Sequence, residues 1–281
     1  MKNAQFYQQF LINREQRFIY CYVPKVACSS LKLWFLRVAG VDVQDAVPDV
    51  HAYLDRTFSL AAVPEQEAER LLHDSNYYRF AFIRNPFARL VSAYQDKIIQ
   101  GNTPGPCAIK AVQRGRPWQV RKRLGYEWLK WKTGSGIDLQ RGMTLREFLQ
   151  FISNQPAAKL DPHWRPQPLI LGDVRMDYVG LIENMSSDFE FVCHQLGLEN
   201  DLQVANRARR RTDGGISENC ADWTTTQLRE LDRYPPYEQF FTPELREVFL
   251  SVYEKDLTVY EQLAAERGCL DTESRYMAKA S

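Results

Sequence analysis

The sequence predicts an α/β layer fold with a mainly parallel central sheet, and three observations carry that expectation. A short aromatic and β-branched run, RFIYCYV, is followed by the loop PKVACSS and the helical pattern LKLWFLRVAG. The same order returns in YRFAFI, RNP and FARLVSAYQDKII. Strands alternating with helices build parallel sheets through crossover connections. The third observation is composition: the 281 residues are 44% hydrophobic and 25% charged, an ordinary globular balance with a core of useful size. Disorder, collagen and coiled coil are excluded as descriptions of the whole chain.

Each element follows in order. Residues 17–23 read as a buried strand. In the next run Leu31, Trp34, Phe35 and Val38 recur at helical spacing, and Gly40 is a C-terminal stop. Residues 41–64 read as irregular, 65–72 as a helix and 78–83 as a second buried strand. Pro86 suits a helix start, and Leu90, Val91, Tyr94 and Ile98 continue that helix. Residues 101–142 change character, with eight basic residues and one acid between 110 and 132, interleaved with Trp118, Tyr126, Trp128 and Trp131. Residues 144–152 return to a helix; PQPLIL and 177–183 read as strands. SSDFEFVCHQLGL reads as a helix capped by Ser186 or Ser187. After a basic, turn-rich loop, NRARRRTDGG, residues 218–281 carry 13 acids against 7 bases, with an amphipathic helix near TPELREVFLSVYEKDLTVYEQL.

Several function classes are set aside by counting. The net charge of +1 argues against a generic nucleic-acid binder. Six cysteines, none at two-residue spacing, and four scattered histidines predict neither a disulfide scaffold nor a metal site. The N-terminal stretch is polar and mixed in charge, and no apolar run reaches the roughly 18 residues of a membrane span. The expectation is a soluble protein of the reducing cytoplasm.

In such sheets ligands sit beyond the carboxyl ends of the strands, where both loops fall. Pro24 to Ser30 joins a strand to a helix N-terminus, whose outward N–H groups and dipole favour an anion. Lys25 adds a mobile cation, and Ser29 and Ser30 add hydroxyls. The loop has no glycine and is not GxxxxGK[ST], which argues against a Walker-type triphosphate cradle. The alternative is that Ser29 merely caps the helix and Lys25 is solvated. In the second loop Arg84 stands at a strand end, with Arg89 and Ser92 following, and arginine can hold a phosphate in a bidentate grip. The alternative there is an ordinary ion pair and a helix-face serine.

Together the two loops resemble a known family. PKVACSSLK is similar to the 5′-phosphosulfate loop of the carbohydrate sulfotransferases, and RNPFARLVSAY to their 3′-phosphate motif. The likeness points to the branch that includes the chondroitin and dermatan 4-O-sulfotransferases. DPHWRPQ (161–167) resembles the family's acidic-x-H-W segment, and YVGLIENMSSDF, RRRTD and VFLSVYEKDLTVY resemble segments that follow it. Membrane-anchored animal members carry an N-terminal span and a pair of cysteines after the H-W segment; this sequence shows neither, so a soluble, bacterial-type member is expected.

The resemblance implies a single sulfotransferase domain over 1–281, with a P-loop-NTPase-like three-layer fold and an acceptor-side insertion at about 101–142. It implies sulfuryl transfer from 3′-phosphoadenosine 5′-phosphosulfate (PAPS) to a hydroxyl, leaving adenosine 3′,5′-bisphosphate (PAP), without a metal. His163 is the expected base, since histidine titrates near neutral pH. Lys25 is the expected cation at the sulfur–phosphate bridging oxygen. Val26, Ala27, Cys28, Ser29 and Ser30 would take the 5′-phosphate, with Cys28 a packing residue and not a nucleophile. Arg84 and Ser92 would take the 3′-phosphate, and Arg210 and Arg211 of the triplet from Arg209 are further candidates. Trp118, Arg121, Lys122, Arg123 and Trp164 are candidates for holding a glycan, anionic by the basic character of 110–132; a solvated basic helix is the competing reading. The alternatives are a kinase on a related scaffold, a non-catalytic nucleotide-binding protein and, more weakly, a nucleic-acid binder using 110–132.

Overall fold

A computed structural model describes residues 4–41, 49–100, 143–203 and 218–269. The chain forms two compact units. The first is built from the described residues of 4–85, 167–203 and 255–269, the second from those of 86–166 and 218–254.

The first unit is organised on a four-stranded sheet in the order β1-β2-β3-β4, with β1 Phe10–Asn13, β2 Phe18–Cys21, β3 Tyr78–Ile83 and β4 Tyr178–Leu181. β2, β3 and β4 run parallel and β1 is antiparallel to β2. The predicted α/β class with a mainly parallel sheet is therefore what the chain adopts. Helices α1 Cys28–Val38, α2 Val50–Thr57 and α3 Glu65–His73 follow β2, and a later helix, Met185–Leu196, follows β4.

Burial explains why these runs pair. Every residue of β1 and β2 is buried, as are all but the first of β3. Trp34 of α1 is wholly buried and meets Phe18 at 5.6 Å and Phe189 at 5.0 Å between ring centroids. Tyr20 stacks on Phe80 at 5.2 Å, across the β2–β3 pairing that sets them opposite each other. Aromatic pairs at such spacing add to the burial energy of the rings.

Helix α1 ends as its glycine predicts. Gly40 has φ of 70°, its N–H donates to the Arg37 carbonyl, and the Val41 N–H donates to that of Leu36. That is a left-handed stop which residues with a Cβ adopt at a cost. A second glycine is needed for closeness. Gly180 of β4 faces Phe82 of β3, and a Cβ there would press into the buried phenyl ring. Gly180→Ala is expected to lower stability by about 1–3 kcal/mol through overpacking. Thermal unfolding of the variant checks this; an unchanged midpoint would contradict it.

Four expectations need correction. PQPLIL is no strand: Gln167–Leu171 is a short helix. Pro168 has no N–H for a ladder but suits a first helical turn, and Asp256 accepts the Gln167 N–H. The stretch read as irregular contains α2, whose N-cap Asp49 accepts from the N–H groups of His51 and Ala52. Leu54 is the one buried residue of α2, so the helix left no apolar period in the sequence. Neither Ser186 nor Ser187 is a cap, because their helix already starts at Met185. Strand β1 lies in the stretch taken as polar: its four residues sit between glutamine and arginine, and it forms as a hairpin partner of β2.

In the second unit α4 Pro86–Ala93 opens on the expected proline and passes into a π-turn at Tyr94–Ile99. Helix α5 Leu145–Ser153 starts at a Thr144–Glu147 capping box. The Met185–Leu196 helix is α6, and α7 Pro243–Glu266 contributes residues to each unit. The core here is again aromatic: Phe87 stacks on Phe249 at 4.0 Å, and Tyr94 and Trp164 flank Phe148. Among the described residues no helix is long and apolar enough to cross a membrane, and no cluster of His, Cys, Asp and Glu could hold a metal.

Candidate active site

The first cluster lies where β2 ends. Val23 and Pro24 lead into a loop in which Lys25 has φ of 69° and Ala27 φ of 45°. Both are left-handed and neither is glycine, and each such residue costs about 1–2 kcal/mol. Lys25 takes the left-handed position of a turn that the Val26 N–H closes on the Val23 carbonyl at 3.3 Å, and Ala27 then leads into a helix N-terminus. The loop thus makes its left-handed turns without the glycines whose absence argued against a Walker-type triphosphate cradle.

Helix α1 begins directly after Ala27, which has no side chain to cap it. Ser29 is therefore not the cap; Cys28, Ser29 and Ser30 form the first turn of α1, the end of a helix that favours an anion. Val26 is fully buried and Ser30 nearly so; Lys25, Ala27, Cys28 and Ser29 are half-buried.

Because β2 and β3 are parallel neighbours, the loops after them emerge side by side. Arg84, just past β3, donates from its guanidinium to the Lys25 carbonyl at 3.2 Å. The structure thus joins two motifs about 60 residues apart in sequence. Arg84 is itself held by residues that sequence reasoning did not single out. Its N–H donates to Gln167 Oε1 at 2.9 Å, and Gln167 Nε2 donates back to its carbonyl at 2.8 Å. Gln167 Nε2 also donates to the buried carboxylate of Asp256 at 2.8 Å. The next residue, Asn85, donates its N–H to Glu183 Oε1 at 2.9 Å. Burial pushes the Glu183 carboxyl above its ordinary range, while the Asn85 and Glu183 N–H groups and the Arg84 charge pull it back. The signals for these residues were in plain view. Gln167 ends DPHWRPQ, Glu183 ends the YVGLIE run, and Asp256 lies within VFLSVYEKDLTVY.

The second cluster belongs to the second unit and is a tight turn around His163. Asp161 Oδ1 accepts from the His163 N–H at 2.9 Å and lies 2.7 Å from Nδ1. With the carboxylate against Nδ1, Nε2 is the ring nitrogen not engaged by Asp161. Burial would raise the Asp161 carboxyl, but the hydrogen bonds and charge of His163, with Lys97, hold it below the usual range. Lys97 is nearly buried on the π-turn and pairs with Asp96 at 3.2 Å. Ser92, half-buried on α4, belongs to the same unit.

Trp164 departs from expectation. It is 3% exposed and edge-on to Phe148, so its ring offers no face to a sugar. Trp118, Arg121, Lys122, Arg123, Arg210 and Arg211 lie outside the described residues.

Comparison with known proteins gives this geometry its context. Carbohydrate sulfotransferase 14 of Danio rerio is 32% identical over 209 residues, covering 71% of this chain and 51% of the relative. Its Homo sapiens counterpart is 31% identical over 192 residues, covering 64% and 44%. Carbohydrate sulfotransferase 8 of Homo sapiens is 27% identical over 242 residues, covering 83% and 53%. The chain thus spans about half the length of these curated relatives. No solved structure matches significantly. The family model described as "Sulfotransferase family" matches residues 8–261, a span that takes in the Lys25 loop, Arg84, the His163 turn and Asp256. On that match the chain belongs to the sulfotransferase family.

Proposed function

We propose that the chain transfers a sulfuryl group from PAPS to a hydroxyl of a carbohydrate acceptor, releasing PAP. The observation that carries this reading is the Arg84–Lys25 bond, which ties a strained anion loop to a guanidinium at the ends of neighbouring strands. A cradle with a lysine, beside an arginine, fits a ligand bearing two separate anionic groups. When bound, PAPS supplies the activated sulfuryl group.

The protein's own groups then divide the work. The amides of 27–30 with the Ser29 and Ser30 hydroxyls hold one phosphate, the Val26 N–H being taken by the Val23 carbonyl, and Arg84 with Ser92 holds the other. The Lys25 ammonium offsets charge growing on the leaving oxygen. His163 Nε2 takes the proton of the acceptor hydroxyl, while Asp161 keeps the other ring nitrogen protonated. The arginine triplet and the basic segment 110–132 are assigned to the nucleotide and to an anionic glycan on sequence grounds.

The family match takes in segments of both units, which supports one sulfotransferase domain. The described cysteines, Cys21, Cys28, Cys193, Cys220 and Cys269, are all free, which supports a reducing, cytoplasmic setting.

Calorimetric titration with PAP beside ADP and ATP tests the donor. PAP is expected to bind tightly, ADP more weakly, and Arg84→Ala to lose about 1.5–3 kcal/mol of PAP affinity, the range for hydrogen bonds to charged groups. Preference for ATP would favour a kinase, and unchanged PAP binding in Arg84→Ala would remove Arg84 from the site.

A further inference from the structure

We propose that Arg89 is a positioning residue for the transfer: its guanidinium fastens the turn on both sides of His163 and so fixes where the imidazole stands. The inference rests on reading His163 as the base. It concerns the one arginine of RNPFARLVSAY that the donor reading leaves without a task.

Arg89 is 1% exposed, in the middle of α4. A charge that deep in a protein persists only if it is hydrogen-bonded or paired. Its NH1 donates to the Arg165 carbonyl at 2.7 Å and its NH2 to the Pro162 carbonyl at 2.9 Å. Those carbonyls bracket His163 and Trp164.

The other backbone groups of the turn are fastened as well. The N–H groups of Trp164 and Arg165 donate to the Asp161 carbonyl. The Arg165 guanidinium donates twice to the Leu160 carbonyl, and the Tyr253 hydroxyl donates to that of Trp164. The carbonyls of 160, 162, 164 and 165 are thus each taken by a side chain. The turn belongs to no helix or strand, so these donors do what a regular hydrogen-bond ladder would do elsewhere. Arg89 holds two of the four.

The fork of the guanidinium suits this task. Two parallel N–H groups reach two carbonyls at once, whereas an ammonium is a point donor. The same helix carries Ser92 three residues on, so one rigid element carries a proposed 3′-phosphate contact and the clamp on the base. A displacement of about 1 Å at a catalytic group can lower turnover by about 10²-fold, which sets the size of the effect.

The test uses Arg89→Lys and Arg89→Ala, with His163→Ala as comparator. Three quantities are read: PAP affinity by calorimetry, PAP release from PAPS in water alone and with chondroitin added, and the imidazole nitrogen resonances by NMR. Both Arg89 variants are expected to release PAP about 10²-fold more slowly with PAP affinity unchanged within a few-fold. The His163 ring should lose its single Nδ1-protonated signature, and added guanidinium should recover much of the rate in Arg89→Ala but none in His163→Ala. If Arg89→Ala fails to fold, Arg89→Lys decides alone. Full turnover in Arg89→Lys, against loss in His163→Ala, overturns the clamp. Parallel loss of PAP affinity and turnover, without rescue by guanidinium, also overturns it, since Arg89 would then only support the fold. Full turnover in His163→Ala overturns instead the reading of the base.

Discussion

His163→Ala is expected to lower turnover by about 10³-fold while PAP binds as before, within the range of about 10²–10⁴ that a positioned general base contributes. The split follows from the proposed division of labour. The nucleotide is assigned to the Lys25 loop, Arg84 and Ser92, and the acceptor proton to His163 Nε2. Asp161 makes the prediction sharper. Its carboxylate, 2.7 Å from Nδ1, keeps the ring proton on that nitrogen. Asparagine in its place offers an amide N–H as well as a carbonyl, so Asp161→Asn permits the wrong tautomer. Turnover of that variant should fall by about 10²-fold with the fold intact.

The pH dependence has a definite sign. The Asp161 carboxyl is held below its ordinary range in the folded chain. Its contribution to stability is therefore complete above about pH 4, the unfolded value, and is lost as pH falls through the lower folded value. Asp161→Asn should remove that part of the acid sensitivity. Acid unfolding curves of the two proteins show it directly, and coincident curves would contradict it.

The legible and illegible parts of the molecule differ in where their specification lies. Strands β2 and β3 were readable because both are nearly wholly buried, and burial writes apolar runs such as FIYC and FAFI. Helix α1 was readable because Leu31, Trp34 and Phe35 all turn to the core. Strand β1 and helix α2 were not, since one is made by its partner and the other by a cap. PQPLIL misled because a short apolar run does not distinguish a strand from a helix turn.

The site divides in the same way. Lys25, Arg84 and His163 stand out as residue types within motifs. Their supports do not: Gln167 and Asp256 act on Arg84 from 83 or more residues away, and Arg89 acts on carbonyls 73 and 76 residues on. Nothing local in the sequence records such partnerships. The left-handed turns at Lys25 and Ala27 were equally hidden, because glycine is the usual sign of that geometry.

That strain gives the second large prediction. Lys25→Ala is expected to lower turnover by about 10²–10³-fold, the effect of removing one preorganised group from the developing charge. Stability should barely change, since the Lys25 side chain is half-exposed and the left-handed backbone disfavours alanine and lysine alike. Lys25→Gly separates the two roles. Glycine adopts φ of 69° without the Cβ penalty, so the variant should lose turnover as alanine does yet unfold at a higher temperature, by up to about 1 kcal/mol of added stability. A residue whose replacement stabilises the protein while removing its activity is held in place by function and not by folding. Full turnover in Lys25→Gly would mean that the backbone of the loop alone serves the donor, and the lysine would lose its assigned part in the chemistry.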